Sequence, residues 1–147
     1  MMKALIYPAW FSRDEAGRFL VTFPDLPGAA TDGATMEEAM EEAMDCLGSA
    51  LAHRLAHRKT ESVPRPGRAV KGTTMVPAPL WIVGKVALHW AMEDRKLTNV
   101  GLAALIGVTE TVVRRMLDPD HETKSEKLAL ALRALGKHLV VEIRDAA

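Results

Sequence analysis

Short apolar stretches separated by polar, Gly and Pro residues fill the first thirty positions of this chain, and apolar residues recur at helical spacing from Met36 to Leu55 and again beyond Val83. Lys3 to Trp10 reads as a strand, with Leu5, Ile6 and Tyr7 suited to a pleated surface. Ser12 to Gly17, containing Asp14, Glu15 and Gly17, is a polar hairpin connection. Arg18 to Phe23 is the second strand. Its Phe19, Val21 and Phe23 share one face, because side chains alternate along a strand. The two strands are expected to pair as an antiparallel hairpin. A double-proline turn follows, Phe23-Pro24-Asp25-Leu26-Pro27-Gly28, and Ala29 to Thr31 is a short third strand.

The period then changes to that of a helix, predicted from Met36 to about Arg58. Met36, Met40, Ala43, Met44, Leu47, Leu51 and Leu55 form its apolar stripe. Thr35 is its N-cap and Glu38, three residues on, completes a capping box. Glu37, Glu38, Glu41 and Glu42 lie near the positive end of the helix dipole, and Arg54, His57, Arg58 and Lys59 near the negative end. This helix is expected across one face of the sheet. Pro64, Pro66, Gly67 and Gly72 break the pattern. Met75 to Val83 reads as a further strand, at an edge because Pro77 and Pro79 cannot donate to a ladder.

Beyond Val83 the chain reads as helical: Gly84 to Asp94, Asn99 to Ile106, Thr109 to Leu117 and Ser125 to Leu135, with Gly136 as a C-cap. His138 to Arg144 alternates Leu139, Val141 and Ile143 against Val140, Glu142 and Arg144, which predicts a final short strand offering a dimerisation edge. The expected organisation is α+β, with a β-β-β-α-β domain over residues 1–70, a linker and edge strand over 71–83, and a helical domain over 84–147.

Asn99 to Met116 fits a helix-turn-helix. Ala103 is small where two helices approach closely, Gly107 suits a turn that needs positive φ, and Val113 falls on the inner side of the second helix with Leu102, Ile106 and Leu117. Thr109 caps the second helix, leaving Glu110, Thr111, Arg114 and Arg115 with outward components. In this motif the second helix enters the major groove, where arginines reach guanine edges or phosphates. Thr98 and Asn99 open the preceding helix, whose N-terminus suits a phosphate. The competing reading is a helical hairpin used only for packing or dimerisation.

Charge weighs on that choice. The chain carries 19 basic and 19 acidic side chains, so no whole-molecule field draws it to nucleic acid or an anionic membrane. Glu110, Asp118, Asp120 and Glu122 surround the two arginines, and affinity rests on neutralised phosphates, so a monomer would bind feebly. A dimer or tetramer placing two such helices one DNA turn apart would repair this. A neutral surface also predicts modest solubility without a partner. The single cysteine, Cys46, excludes an intramolecular disulfide and fits a reducing cytoplasm. No apolar run is long enough for a membrane span, and no signal-peptide core is expected at the N-terminus.

Other chemistry is thin. His53 and His57 have the spacing of metal ligands on a helix, but the glutamate of a zinc-protease motif is absent, and a solvated helix end accounts for them. Asp25 and Asp32 flank the Pro-Gly turn and are read as turn residues ahead of a metal pair. Cys46 adjoins the apolar stripe with no basic neighbour, which suits packing and not a nucleophile. Tyr7, Trp10 and Phe11 form an aromatic group that is core at one end and contact surface at the other. No phosphate loop, nucleophile elbow or Cys/His metal set occurs, so no catalytic residue, metal or cofactor is expected.

Together, Tyr7-Pro8-Ala9, the Phe23 to Gly28 turn, Thr31-Asp32-Gly33 and Glu37-Glu38-Ala39 form an ordered set over roughly sixty residues. In them the chain resembles HicB-type antitoxins of bacterial type II toxin–antitoxin modules. The helix-turn-helix resembles the Cro/repressor-like tail of one branch of that family. The resemblance implies a partial ribonuclease H-like fold for the first domain. Lys3 to Trp10 and Arg18 to Phe23 hold no Asp or Glu, so such a fold would lack the carboxylates that hold metal ions and be catalytically dead. It further implies a non-enzymatic protein that caps a small HicA-type RNA-cleaving toxin and binds operator double-stranded DNA of its own operon, cytoplasmic and nucleoid-associated when DNA-bound. Tyr7, Trp10, Phe11, Asp25 and Asp32 are expected near the toxin-binding surface. The chain departs from the family's commonest pattern after Val63-Pro64-Arg65-Pro66, where Gly67 stands in place of a frequent serine. Two other classes compete: a metal-dependent nuclease, which the missing strand carboxylates oppose, and a free-standing transcription factor whose first domain senses a small ligand.

Overall fold

A computed structural model of the protein describes residues 4–146. Among the described residues, four strands and five helices follow in the order β1 (Ile6–Arg13), β2 (Phe19–Thr22), β3 (Ala30–Gly33), α1 (Met36–Ala56), β4 (Thr74–Pro77), α2 (Leu80–Asp94), α3 (Asn99–Ile106), α4 (Glu110–Leu117) and α5 (Ser125–Ala134). The chain divides into two compact units, Met1–Val83 and Gly84–Ala147, and the division falls within α2.

The first unit is an antiparallel sheet of order β3-β2-β1-β4 with α1 against it. β1 runs three residues further than predicted. Lys3, where the predicted strand begins, lies outside the described residues. The register places Phe11 opposite Val21 and Tyr7 opposite Val76, and Tyr7, Ala9, Val21 and Val76 are fully buried on the α1 side.

The apolar stripe of α1 is turned from the predicted one. Ala39, Ala43, Leu47, Gly48, Leu51 and Leu55 are buried, whereas Met36 is exposed and Met40 and Met44 are half-buried. Close approach is the reason. A Cβ on Gly33 would lie 2.4 Å from the Ala39 nitrogen, so β3 meets α1 where both present small residues and a methionine would hold them apart. Thr35 caps α1 as predicted, its hydroxyl accepting from Glu38 N at 3.1 Å. The reciprocal bond is displaced by one residue, because the Glu38 carboxylate accepts from Ala34 N at 3.1 Å.

The strand predicted over Met75 to Val83 is corrected. β4 ends at Pro77 and α2 begins at Leu80. Pro79 stands just before the first turn, where the N–H groups have no intrahelical acceptor and a missing donor costs nothing. The final strand predicted over His138 to Arg144 is also corrected. Residues 138–146 form no ladder, and Val140, Val141 and Ile143 are exposed. A strand needs a partner for its backbone groups, and the described residues supply none there.

In the second unit, Leu88, Leu102, Val113, Leu117, Leu132 and Leu135 are buried at 2% exposure or less. α5 closes with Gly136 at φ +74° just beyond the Leu135 C-cap. Lys137 N donates to Leu132 O and Gly136 N to Arg133 O, both carbonyls of the last turn.

Candidate functional site

The five residues assigned to one surface of the first unit are distributed by the sheet. Tyr7 is fully buried and its hydroxyl donates to Pro64 O at 2.6 Å. Burial pushes its pKa above the ordinary phenol range, and the nearby Asp25 charge adds to the shift. Asp25 sits in the double-proline turn, where Oδ2 accepts from Gly67 N at 2.9 Å. A Cβ on Gly67 would lie 2.8 Å from Asp25 Oδ1, which gives a physical reason for glycine at this departure from the family pattern. Arg54 Nη1 donates to Ser62 O at 3.3 Å, and Val63 is buried. The proline-rich stretch 62–67 is therefore strapped to the first unit by Tyr7, Asp25 and Arg54.

Trp10 and Asp32 lie on the opposite, open face of the sheet. Trp10 is 41% exposed, diagonal to Leu20 on β2 and Met75 on β4, which are 40% and 38% exposed. Gly72 passes close to its ring, since a Cβ there would lie 3.1 Å from Trp10 Cζ3. Asp32 accepts from Arg18 Nε at 2.8 Å across the β2–β3 pair, which holds its carboxyl below the usual carboxylate range. Phe11 is half-buried on the α1 side. Leu20 and Met75 were not singled out from sequence. Alternation puts Leu20 on the face opposite Phe19 and Val21, but all three are apolar, so the pattern does not say which face α1 leaves open, and Met75 joins Trp10 only through the β1–β4 register.

Asp25 and Asp32 are thus engaged by Gly67 and Arg18. Among the described residues no group of three His, Cys, Asp or Glu side chains is placed to hold a metal ion. His53 and His57 stack at 4.3 Å, with His57 Nδ1 2.8 Å from His53 O. Cys46 is half-buried, and burial raises its thiol pKa, which leaves it mostly protonated.

In the second unit, Thr98 caps α3 by accepting from Gly101 N at 3.0 Å, and Thr109 caps α4 by accepting from Val112 N at 3.4 Å. Gly107 closes α3 at φ +73°, its N–H and that of Val108 both reaching Ala103 O. Leu102, Ala103, Val113, Met116 and Leu117 face inward. Thr98, Thr109, Thr111, Arg114 and Arg115 are exposed, while Asn99 and Glu110 are half-buried. The Arg114 guanidinium pairs with the Glu110 carboxylate one turn earlier. Of the predicted set on α4, Thr111, Arg114 and Arg115 are exposed together, and Glu110 lies half-buried beside Arg114. What local pattern did not single out is Lys85 on α2, whose ammonium meets the end of α4.

With this geometry in place, the comparisons with known proteins are specific. A family model described as HicB_like antitoxin of bacterial toxin-antitoxin system matches residues 6–87. Antitoxin HicB 2 of Photorhabdus laumondii is 39% identical over 139 residues, covering 95% of this chain and 96% of the relative. Antitoxin HicB 1 of the same organism is 36% identical over 143 residues, 97% of this chain and 90% of the relative. Antitoxin HicB of Escherichia coli K12 is 33% identical over 133 residues, 90% of this chain and 95% of the relative. The chain belongs to the HicB-like antitoxin family of bacterial toxin–antitoxin systems. These relatives are named as antitoxins and not as enzymes, in line with the absence of a catalytic role expected from the sequence. No helix of the described residues is long and apolar enough to cross a membrane.

Proposed function

We propose that the chain neutralises a small HicA-type RNA-cleaving toxin by direct binding through the first unit, and represses its own operon by binding operator DNA through the second. The observation that carries this reading is the match to HicB antitoxins over both units, since each relative above spans at least 90% of this chain. The open sheet face is the proposed toxin contact. Trp10, Leu20 and Met75 expose apolar surface there beside Asp32, whose carboxylate is paired with Arg18 and meets a basic, RNA-binding partner by exchanging that pair. Asp25, Tyr7 and Phe11 support that surface from the turn and from beneath. The first unit is read as a degenerate ribonuclease H-like fold, supported by its β-β-β-α-β order and by β1 and β2 carrying no carboxylate.

For DNA, α3 and α4 are read as a helix-turn-helix with α4 as the recognition helix. Thr111, Arg114 and Arg115 reach bases or phosphates, Glu110 releases Arg114 as it does so, and Thr98, Asn99 and Thr109 lie against phosphates. The protein acts as a homodimer or tetramer. Residues 138–144, which form no ladder within the chain, supply the joint, two copies pairing antiparallel about Val141 so that Leu139 meets Ile143. In the cell such a protein is cytoplasmic and sits on the nucleoid when bound to DNA.

The alternative is a free-standing transcription factor that senses a small ligand. A shallow cleft of about 260 Å³ lined by Leu26, Pro27, Ala29, Ala50, His53 and Arg54 favours it, but ligand pockets of ~300–1,000 Å³ are usual. A growth assay separates the two. The short open reading frame beside the gene is induced alone and then with this chain. Arrest alone and rescue together is the expected result. No arrest, or arrest without rescue, transfers the weight to the ligand sensor.

A further inference from the structure

The three short helices of the second unit do not end alike. α3 closes on Gly107 and α5 on Gly136, both in the left-handed region. α4 has no such glycine. It stops at Asp118, held extended (φ −81°, ψ 116°) ahead of Pro119, as a residue before proline prefers. Of the last carbonyls of α4, Arg115 O accepts from Asp118 N at 3.3 Å, but the two-bond glycine closure of the neighbouring helices is missing. These carbonyls are met from α2. Lys85 is 3% exposed, the buried charged side chain among the described residues. Its Nζ donates to Arg115 O at 3.1 Å, to Met116 O at 3.2 Å and to Thr123 Oγ1 at 2.9 Å. An ammonium has three protons, and each has an acceptor. Thr123 Oγ1 also lies 3.4 Å from Arg115 O, so the loop after α4 is tied to the same point.

We propose that Lys85 is a positioning residue for DNA recognition: its ammonium fixes the end of α4, and with it the reach of Thr111, Arg114 and Arg115. The inference rests on the DNA-binding reading above. Lys85 points inward and touches no phosphate itself. Stability alone is a poor reason for a charge here. Burial disfavours the ammonium and lowers its pKa, with Asp118 offsetting part of that, and an apolar side chain of similar length would fill the space without the desolvation cost. What an apolar side chain cannot do is accept a single geometry from two carbonyls and a hydroxyl.

The test uses the full chain, a duplex spanning the promoter of its own operon, and a scrambled duplex of equal length. Affinities are measured below the melting temperature of every variant. Lys85→Met is expected to bind the promoter duplex roughly ten- to hundred-fold more weakly. Its affinity for the scrambled duplex falls much less, because the phosphate contacts at the helix N-termini stay and only the placement of the α4 side chains is relaxed. Thr123→Val, which removes one of the three acceptors, gives a smaller loss in the same direction. A residue that only held the fold together would lower both affinities alike. Lys85→Met retaining the wild-type preference for the promoter duplex, or losing both affinities equally, overturns the proposal. Should Lys85→Met not fold, Thr123→Val with unaltered preference overturns it instead. Wild-type protein without any preference removes the DNA-binding reading itself, and this inference falls with it.

Discussion

Tyr7 joins the centre of the sheet to the proline-rich strap, and its buried hydroxyl makes the first unit sensitive to alkali. Its pKa is raised in the folded protein. Above the ordinary value of about 10 the unfolded chain therefore releases a proton that the native state retains. The stabilisation is fully present below that pH and declines as pH rises further. Tyr7→Phe should lose about 1 kcal/mol at neutral pH, since Pro64 O goes unpaired, and should show a flatter decline above about pH 10 in urea titrations. Gly33 is a second point where one atom matters. A Cβ there meets Ala39 N at 2.4 Å and Ala39 Cα at 2.7 Å, both backbone atoms that cannot swing aside. Gly33→Ala is expected to destabilise the first unit by about 1–3 kcal/mol, read as a lower denaturation midpoint at unchanged slope. At this scale the sequence was partly readable: Thr35 and Thr109 announced themselves as caps, whereas nothing local marked Asp25 as the acceptor for Gly67, forty-two residues on.

At the scale of elements, α4 is short, capped and exposed on one side, so two changes act on it differently. Thr109→Ala removes the cap and should cost about 1 kcal/mol of stability, measured by thermal denaturation, while leaving both arginines. Arg114→Ala with Arg115→Ala should leave the melting temperature near wild type, because both side chains are exposed and an exposed pair such as Arg114 and Glu110 contributes little. It should weaken retention of promoter DNA and reduce the salt slope by roughly one to two. Undiminished binding would remove α4 from the interface. α3 and α4 were readable because Thr98, Gly107 and Thr109 bracket them. The start of α2 was not, because the run Leu80-Trp81-Ile82-Val83 is apolar at every position and carries no period to separate strand from helix.

For the whole molecule, zero net charge leaves association to local surfaces. Val140, Val141 and Ile143 are 79%, 68% and 95% exposed on a segment outside any helix or strand, a composition that favours pairing with a second copy. If the proposed dimer forms through this segment, Val141→Asp with Ile143→Asp should give monomers by sedimentation and weaken the proposed DNA binding in step, with the fold of each unit retained. A mass unchanged by the double substitution would place the joint elsewhere.

Sequence alone determined what depends on neighbours within a few residues: the period of α1, the threonine caps of α1 and α4, the glycine stops of α3 and α5, the hairpin of β1 and β2, and the ordered motifs by which the family is recognised. Tertiary structure decided what depends on distant pairing. The side of α1 that is buried follows from how closely Gly33 allows β3 to approach. Trp10, Leu20 and Met75 share an open face because of the strand register. Tyr7 is a buried donor and not a surface contact because the strap returns to it. Residues 138–146 remain without a ladder because a strand is stabilised by its partner, and a partner is not encoded in the strand's own residues.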